Sequence, residues 1–255
     1  KVFFRREDFR IEVCANSVNS VLAAKAAGAD RVELCAGMPE GGTTPSYGCI
    51  AEACAVGGIA VHVIVRPRGG DFLYDEVEKR EMLRDIRMLK EMGVKGVVAG
   101  MLRADGKIDE AFLRQCVQEA SPLPFTFHRA FDRCVDPMEA LTVLEACGVA
   151  RLLTSGQASD ALRGADLIAR LQRQARRVVI MPGCGITSGN IARIAEKTGT
   201  REFHLSGRVR QESRMSFRHP EFDHEEQVRV DGYAYDVSSV QKISSAIKEL
   251  VSFES

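Results

Sequence analysis

Short runs of alternating apolar and polar residues recur along this chain, and a helical pattern follows each of them. In four places a glycine ends a helical pattern and an apolar run begins four residues later: Gly28, Gly93, Gly148 and Gly199. Glycine adopts the left-handed conformation of a helix C-terminus without steric cost, so these positions predict helix, turn, strand. Four further β-rich runs lie between them: Ile11–Cys14, Val61–Val65, Phe125–His128 and Val178–Met181. The pattern predicts eight strands that alternate with helices.

Eight strand–helix units in about 250 residues predict a (β/α)8 TIM barrel of the α/β class. A doubly wound sheet would usually have five or six strands and a glycine-rich nucleotide turn after the first one. We expect a single domain over residues 1–255, with one excursion at 208–236 between the last strand and the last helix. This excursion is charged but contains Met215, Phe217 and Phe222. It is expected to cover the C-terminal mouth of the barrel or to form the contact of a homo-oligomer.

The amino-acid composition argues against several classes of protein. The 35 Lys and Arg residues balance the 35 Asp and Glu residues, which argues against a polyanion-binding protein and so against nucleic acid as a partner. No run approaches the roughly 18 apolar residues of a membrane span, and no signal peptide is evident, so we expect a cytoplasmic protein. The eight cysteines are dispersed without a CxxC pair, which favours free thiols over a disulfide framework.

Charged and polar residues occupy inward positions of the predicted strands. Side chains alternate along a strand, so the apolar residues that face the helices turn their neighbours toward the barrel axis. These inward neighbours are Glu12, Cys14, Glu33, Cys35, His62, His128 and His204. Burying such groups costs several kcal/mol each unless they are paired or bind something. Two interpretations stay open: a ligand site, or a structural network low in the barrel that is formed by Glu12, Glu33, His62 and His204 with Arg66.

The C-terminal ends of the strands favour a ligand site, because barrel enzymes keep their sites there. Cys14 and Cys35 end adjacent strands, which lie about 4.8 Å apart, so their sulfurs can approach a single soft ion. Two thiolates suit Cu(I), and Zn(II) becomes an option if His128 or a carboxylate joins them. The alternative is that both cysteines are small apolar packing residues.

Glycines and arginines that follow strands three, seven and eight indicate a site that binds an anion. The candidate anion-binding residues are Arg66, Arg68, Gly185, Ser206 and Arg208, which follow strands three, seven and eight. Candidate acid/base residues are Glu12, Glu33 and His128. Such a site is typical of an isomerase, epimerase or lyase that acts on a small phosphorylated or carboxylated metabolite. No Schiff-base lysine and no organic cofactor motif are evident.

Six ordered motifs together resemble the CutC copper homeostasis family. They are Glu33–Gly37, Glu40–Ser46, Arg66–Phe72, Phe127–Asp132, Leu153–Gly156 and Phe203–Ser206. The resemblance extends over nearly the whole chain and implies a (β/α)8 barrel, a cytoplasmic location, a role in copper handling and self-association. It also implies that Cys14 and Cys35 are the Cu(I) ligands. The chain departs from the family at Cys184, where a small residue is usual between two glycines, and this cysteine is a candidate third sulfur.

Two functional hypotheses follow. The first is a cytoplasmic copper homeostasis protein that binds Cu(I) through Cys14 and Cys35 at the barrel mouth. The second is a TIM-barrel enzyme that acts on a small anionic metabolite at the same mouth. A purely structural interaction module would leave the charged inward positions unexplained.

Overall fold

The computed structural model describes residues 5–220 and 231–252, in which eight barrel strands alternate with eight helices. The strands are β1 (Arg10–Ala15), β2 (Arg31–Leu34), β3 (Ala60–Ile64), β4 (Gly96–Ala99), β5 (Phe125–Phe127), β6 (Arg151–Thr154), β7 (Val179–Pro182) and β8 (Glu202–Leu205). The helices are α1 (Val18–Ala26), α2 (Tyr47–Ala55), α3 (Glu76–Met92), α4 (Glu110–Ala120), α5 (Pro137–Cys147), α6 (Ala165–Gln174), α7 (Ile191–Thr198) and α8 (Val240–Ser252).

The eight strands form one parallel sheet that curls into a barrel. The hydrogen-bonded order is β7-β6-β5-β4-β3-β2-β1-β8, and β7 and β8 lie side by side at the seam. Glu12 of β1 lies opposite Arg31 of β2 and His204 of β8. The predicted (β/α)8 barrel is therefore confirmed, and the C-terminal ends of the strands meet at one mouth.

Local sequence sets where the helices begin and end. The Asp136 carboxylate accepts the backbone N–H groups of Met138 and Glu139 and so caps α5. At the other end Gly148 has a φ of 77°, a conformation that strains any residue with a Cβ. Gly93 ends α3 in the same way with a φ of 79°. These helix ends aim the following strands back into the barrel.

An ion network fills the bottom of the barrel. Arg31 donates to Glu12 at 2.5 Å and to Glu202 at 2.8 Å, and Arg151 donates to Glu202 at 2.5 Å. Burial lowers the pKa of the nearby His62 to about 4, which leaves this ring neutral. The structural network expected from the inward charges thus exists, but its cations are Arg31 and Arg151. Arg66 takes no part, because it lies beyond the C-terminal end of β3 and so at the mouth.

The excursion after β8 begins as an antiparallel hairpin beside the mouth. Its strands are β9 (Arg208–Glu212) and β10 (Ala234–Ser238), and residues 221–230, with Phe222, lie outside the described part. The hairpin attaches to the first unit of the barrel, since Asn16 Nδ2 donates to the Asp236 carbonyl and Ser238 N–H donates to Ser20 Oγ. Among the described helices none is long and apolar enough to cross a membrane.

Candidate functional site at the barrel mouth

A cavity of about 580 Å³ opens at the C-terminal mouth of the barrel, and we call it the mouth cavity. Its walls come from the ends of β1, β2, β3, β5 and β6, the loops after β7 and β8, and α8. Eight of the ten residues predicted for a site lie in its wall: Cys14, Glu33, Cys35, Arg66, His128, Gly185, Ser206 and Arg208. The structure thus brings most of the sequence-predicted residues to one place. A second groove of about 540 Å³ lies outside the barrel between α4 and α5 and holds none of them.

The two predicted thiols lie side by side at the floor of this cavity. Cys14 Sγ and Cys35 Sγ are 4.0 Å apart, and both side chains are buried. They end adjacent parallel strands, so the strand spacing itself brings the sulfurs together. Together with Ile64 they form a small cluster separate from the main hydrophobic core. The structure therefore places both cysteines where an ion entering from the mouth would meet them.

The surroundings of Cys14 favour its thiolate form. The hydrogen bond with Cys35 holds the pKa of the Cys14 thiol well below its usual range, against the effect of burial and with help from His204 and Arg208. Arg208 Nη2 lies 3.8 Å from Cys14 Sγ. The pKa of Cys35 is raised well above its usual value by the same hydrogen bond and by burial. The two shifts have opposite directions, so Cys14 is the more acidic thiol of the pair.

His204 links the thiol pair to the ion network below. Its Nδ1 lies 2.7 Å from Glu12 Oε1, and its Nε2 lies 3.4 Å from Glu33 Oε2. Burial alone would lower the pKa of His204, but its hydrogen bonds with Cys14 and Glu12 raise it well above its usual value. The Glu12 carboxylate thus fixes the ring and keeps Nε2 turned toward the mouth.

The two candidate carboxylates have opposite protonation states. The hydrogen bond from His204 and the charge of Arg31 outweigh burial and hold the pKa of Glu12 well below its ordinary value. Burial raises the pKa of Glu33 to about 8, so this carboxyl group is mostly protonated at neutral pH. Glu12 is fully buried beneath His204 and does not line the mouth cavity. Glu33 is therefore the one of the two that can meet a ligand.

The residues at the floor fit a soft metal ion. Metal–sulfur bonds of about 2.3 Å bridge two sulfurs up to about 4.6 Å apart, so an ion fits between Cys14 and Cys35. Cys14, Glu33 and His204 also offer ligand atoms that lie within 4.8 Å of one another. The second set combines one sulfur with a carboxylate and an imidazole, whereas the first offers two sulfurs, which are softer donors. The chemistry of the donors therefore favours Cu(I) on the two sulfurs.

The cations at the mouth differ in whether they are free to meet an anion. Arg208 and Lys242 line the cavity, and no carboxylate in the described part of the chain pairs with them, although Arg208 lies 3.8 Å from Cys14 Sγ. Arg68 faces away from the cavity, where it pairs with Glu78 and Asp71. The structure thus brings Arg66 and Arg208 to the cavity but leaves Arg68 outside it.

The loops after β5 and β6 are tied together beneath one wall. Asp132 accepts hydrogen bonds from Thr154 Oγ1 at 2.5 Å and from Ser155 N–H at 3.1 Å. It also accepts from Arg129 Nε at 2.7 Å, and Arg129 reaches the cavity. The Leu153–Gly156 motif thus supplies hydrogen-bond partners to the Phe127–Asp132 motif.

Sequence reasoning missed two residues that matter here. The first is His204, which lies between the apolar residues Phe203 and Leu205 and therefore points toward the barrel axis. Its position near the C-terminal end of β8 was the signal that could have assigned it to the site. No local pattern marks Lys242, whose Nζ donates to the Arg208 carbonyl at 2.9 Å. Lys242 reaches the mouth cavity only because the hairpin returns the chain to the barrel, where α8 begins. Cys184 lines the cavity, but it is outside the cluster of possible metal ligands in the described residues.

Comparisons with known proteins agree with this architecture. A sequence model of the CutC family matches residues 9–209. A CutC family protein of Bacteroides thetaiotaomicron is 47% identical over 246 residues, which cover 96% of this chain and 99% of the relative. A CutC family protein of Parabacteroides distasonis is 54% identical over 210 residues, which cover 82% of this chain and 86% of the relative.

Solved structures give the same picture. A crystal structure of a CutC protein from Streptococcus agalactiae superposes with a TM-score of 0.74 at 34% identity. The match covers 78% of this chain and 98% of that one. A thiamine phosphate pyrophosphorylase from Pyrococcus furiosus superposes with a TM-score of 0.59 at 14% identity, over 98% of this chain and 99% of that one. At that identity the likeness concerns the barrel fold alone.

Proposed function

This chain belongs to the CutC family, and from that premise we propose that it is a cytoplasmic copper homeostasis protein that binds Cu(I) at the barrel mouth. The observation that carries the proposal is the pair of buried sulfurs 4.0 Å apart at the floor of an open cavity. Cys14 and Cys35 are the ligands, and copper is the cargo. Glu12 acts through His204, whose positive charge, like that of Arg208, stabilises the thiolates.

Cu(I) binding by cysteine variants tests this function. The wild-type protein should withdraw about one Cu(I) per chain from a competing chelator, because two thiolates are a favourable soft ligand set. The double variant Cys14→Ser, Cys35→Ser should lose this binding, and each single variant should weaken it by at least about tenfold.

Cys54→Ser is a matched control for this measurement. Cys54 is half-buried on α2, outside the mouth cavity, so its loss should leave Cu(I) affinity unchanged. If the double variant retained the wild-type affinity, the copper proposal would be wrong.

A second candidate function is supported by the size and charge of the mouth cavity. A volume of about 580 Å³ exceeds what one metal ion needs, and Arg66, Arg208 and Lys242 line it without carboxylate partners among the described residues. Such a lining favours a small anionic metabolite. In this reading the protein is an enzyme of the isomerase, epimerase or lyase type, with Glu33 and His204 placed to exchange protons.

One measurement separates the two candidates. Protein purified without chelator would be analysed for metals and for small molecules released on denaturation. Near-stoichiometric copper supports the first candidate, whereas a released phosphate or carboxylate compound without copper supports the second.

Self-association is the remaining part of the proposed role. Met215 and Phe217, which follow β9, expose 62% and 65% of their surface, and Tyr235 of β10 exposes 55%. Large apolar side chains this exposed on one hairpin favour a contact with a second copy of the chain. We propose this hairpin as the homo-oligomer interface.

A further inference from the structure

His128 carries a hydrogen-bond donor that the described protein does not use. The backbone N–H of Ala130 donates to His128 Nδ1 at 3.1 Å, so the neutral ring carries its proton on Nε2. That Nε2–H is buried and has no partner among the described residues, while the ring itself lines the mouth cavity. A buried donor without an acceptor destabilises the folded state. Its presence in a cavity wall indicates that a ligand supplies the acceptor.

Arg66 places a positive charge beside this donor. Its Nη1 donates to the carbonyls of Glu40 and Gly42, and its Nη2 donates to that of Gly70. Three of the five N–H groups are thus used, and no carboxylate of the described chain pairs with the buried guanidinium. After burial, the charge of Arg66 is the next cause that lowers the pKa of His128, to about 3.

Both groups lie against the same aromatic ring. The Phe72 centroid is 5.1 Å from the His128 ring and 5.0 Å from Arg66 Cζ. Phe72 belongs to the same loop as Arg66 and is only partly buried. Phe72 also lines the mouth cavity, so it gives this part of the wall a flat apolar face, which suits a planar group.

We propose that Arg66 and His128 form a subsite for one carboxylate group of a small ligand in the mouth cavity. The inference rests on the second candidate function, whose ligand class it narrows. One oxygen accepts the His128 Nε2–H, and the positive charge of Arg66 stabilises the carboxylate. One donor and one cation match a carboxylate, whereas a phosphate dianion would bring an additional oxygen and a second charge into a buried place.

A titration of metal-free protein with succinate, acetate and inorganic phosphate tests the subsite. Side-chain imidazole signals would be followed by nitrogen-15 NMR at constant ionic strength, with His128 assigned from a variant. We expect saturable shifts of His128 Nε2 with succinate and acetate, without protonation of the ring. His62 is the internal control, since it is also buried with an unpaired nitrogen but lies outside the mouth cavity. Its signal should stay unchanged.

Two substitutions complete the test. His128→Asn can keep an acceptor for the Ala130 amide but removes the Nε2 donor, so succinate affinity should fall by at least about tenfold. His128→Gln returns a donor near that position and should recover most of the affinity.

The proposal would be overturned by any of three results: no saturable response in the wild-type protein, equal shifts of His62, or tighter binding of phosphate than of succinate. The titration uses metal-free protein and follows His128, so a failure of the copper proposal and a failure of this one are distinguishable. Cys54→Ser, outside the mouth cavity, should respond to succinate like the wild type.

Discussion

Three buried histidines of the barrel differ in charge because their neighbours differ. His204 lies between Glu12 and Cys14, and these partners raise its pKa. His62 and His128 lack such a partner, so burial lowers their pKa values to about 4 and about 3. The same residue type thus supplies a cation beside the thiols and a neutral donor across the cavity. Burial together with the nearest acidic partner decides the role.

The lowered pKa of His128 predicts a pH dependence of stability. As the pH falls below about 6.5, the unfolded chain takes up a proton at this residue, but the folded chain does not until about pH 3. Acid therefore favours the unfolded state between these values. Within this range, each fall of one pH unit should lower the free energy of unfolding of the wild type by up to about 1.4 kcal/mol more than that of His128→Asn.

Urea unfolding of both proteins at pH 6.5, 5.5 and 4.5 measures this difference. Other titrating groups, such as Glu33, are present in both proteins and cancel. Parallel pH profiles would show that His128 is protonated in the folded state at these pH values.

At the scale of elements, the loop after β6 packs tightly against the start of α6. Gly156 has a φ of 69°, and a Cβ there would lie 2.2 Å from the Gly164 carbonyl oxygen. The close approach lets Gly164 begin α6 while Ser155 stays bonded to Asp132. The Leu153–Gly156 motif is thus explained by backbone packing that supports the wall of the mouth cavity.

Gly156→Ala should therefore destabilise the barrel strongly. Gly93→Ala is the matched control, because Gly93 has a similar φ of 79° but nothing within 4 Å of its Cβ position. The control should lose about 1–2 kcal/mol through backbone strain alone. Gly156→Ala should lose a further 1–3 kcal/mol, roughly, through the clash with backbone. Thermal unfolding of the two variants measures both, and equal losses would contradict the packing explanation.

At the scale of the whole molecule, the hairpin after β8 connects the mouth to the surface. Arg208 begins the hairpin within the mouth cavity, and α8 returns Lys242 to the same cavity. Met215 and Phe217 lie on its exposed side. Contact between copies at this hairpin would therefore lie close to the binding site.

Sedimentation equilibrium tests the interface. The wild type should sediment as a multiple of the chain mass, and Met215→Ser with Phe217→Ser should shift it toward the monomer, because apolar burial at the contact is lost. Leu73→Ser is the control, since Leu73 is also exposed, at 47%, but lies on the loop before α3. A wild-type monomer, or a double variant with unchanged mass, would exclude this interface.

Much of this protein follows from local sequence. The period of two in the strands, the glycines after the helices and the N-cap at Asp136 specify eight strand–helix units, because each depends only on neighbouring residues. The same period turns Glu12, Cys14, Glu33 and Cys35 inward. Parallel strands end at one mouth, so the meeting of Cys14 with Cys35 was also predictable.

Other features depend on contacts between residues far apart in sequence. Arg68 looks equivalent to Arg66 in the chain, but Glu78 and Asp71 hold it outside the cavity. Lys242 enters the site only because the hairpin folds back. Strand period thus determined the barrel and the thiol pair from sequence alone. Only tertiary structure decided which charges are paired and which remain free for a ligand, because pairing depends on distance in space.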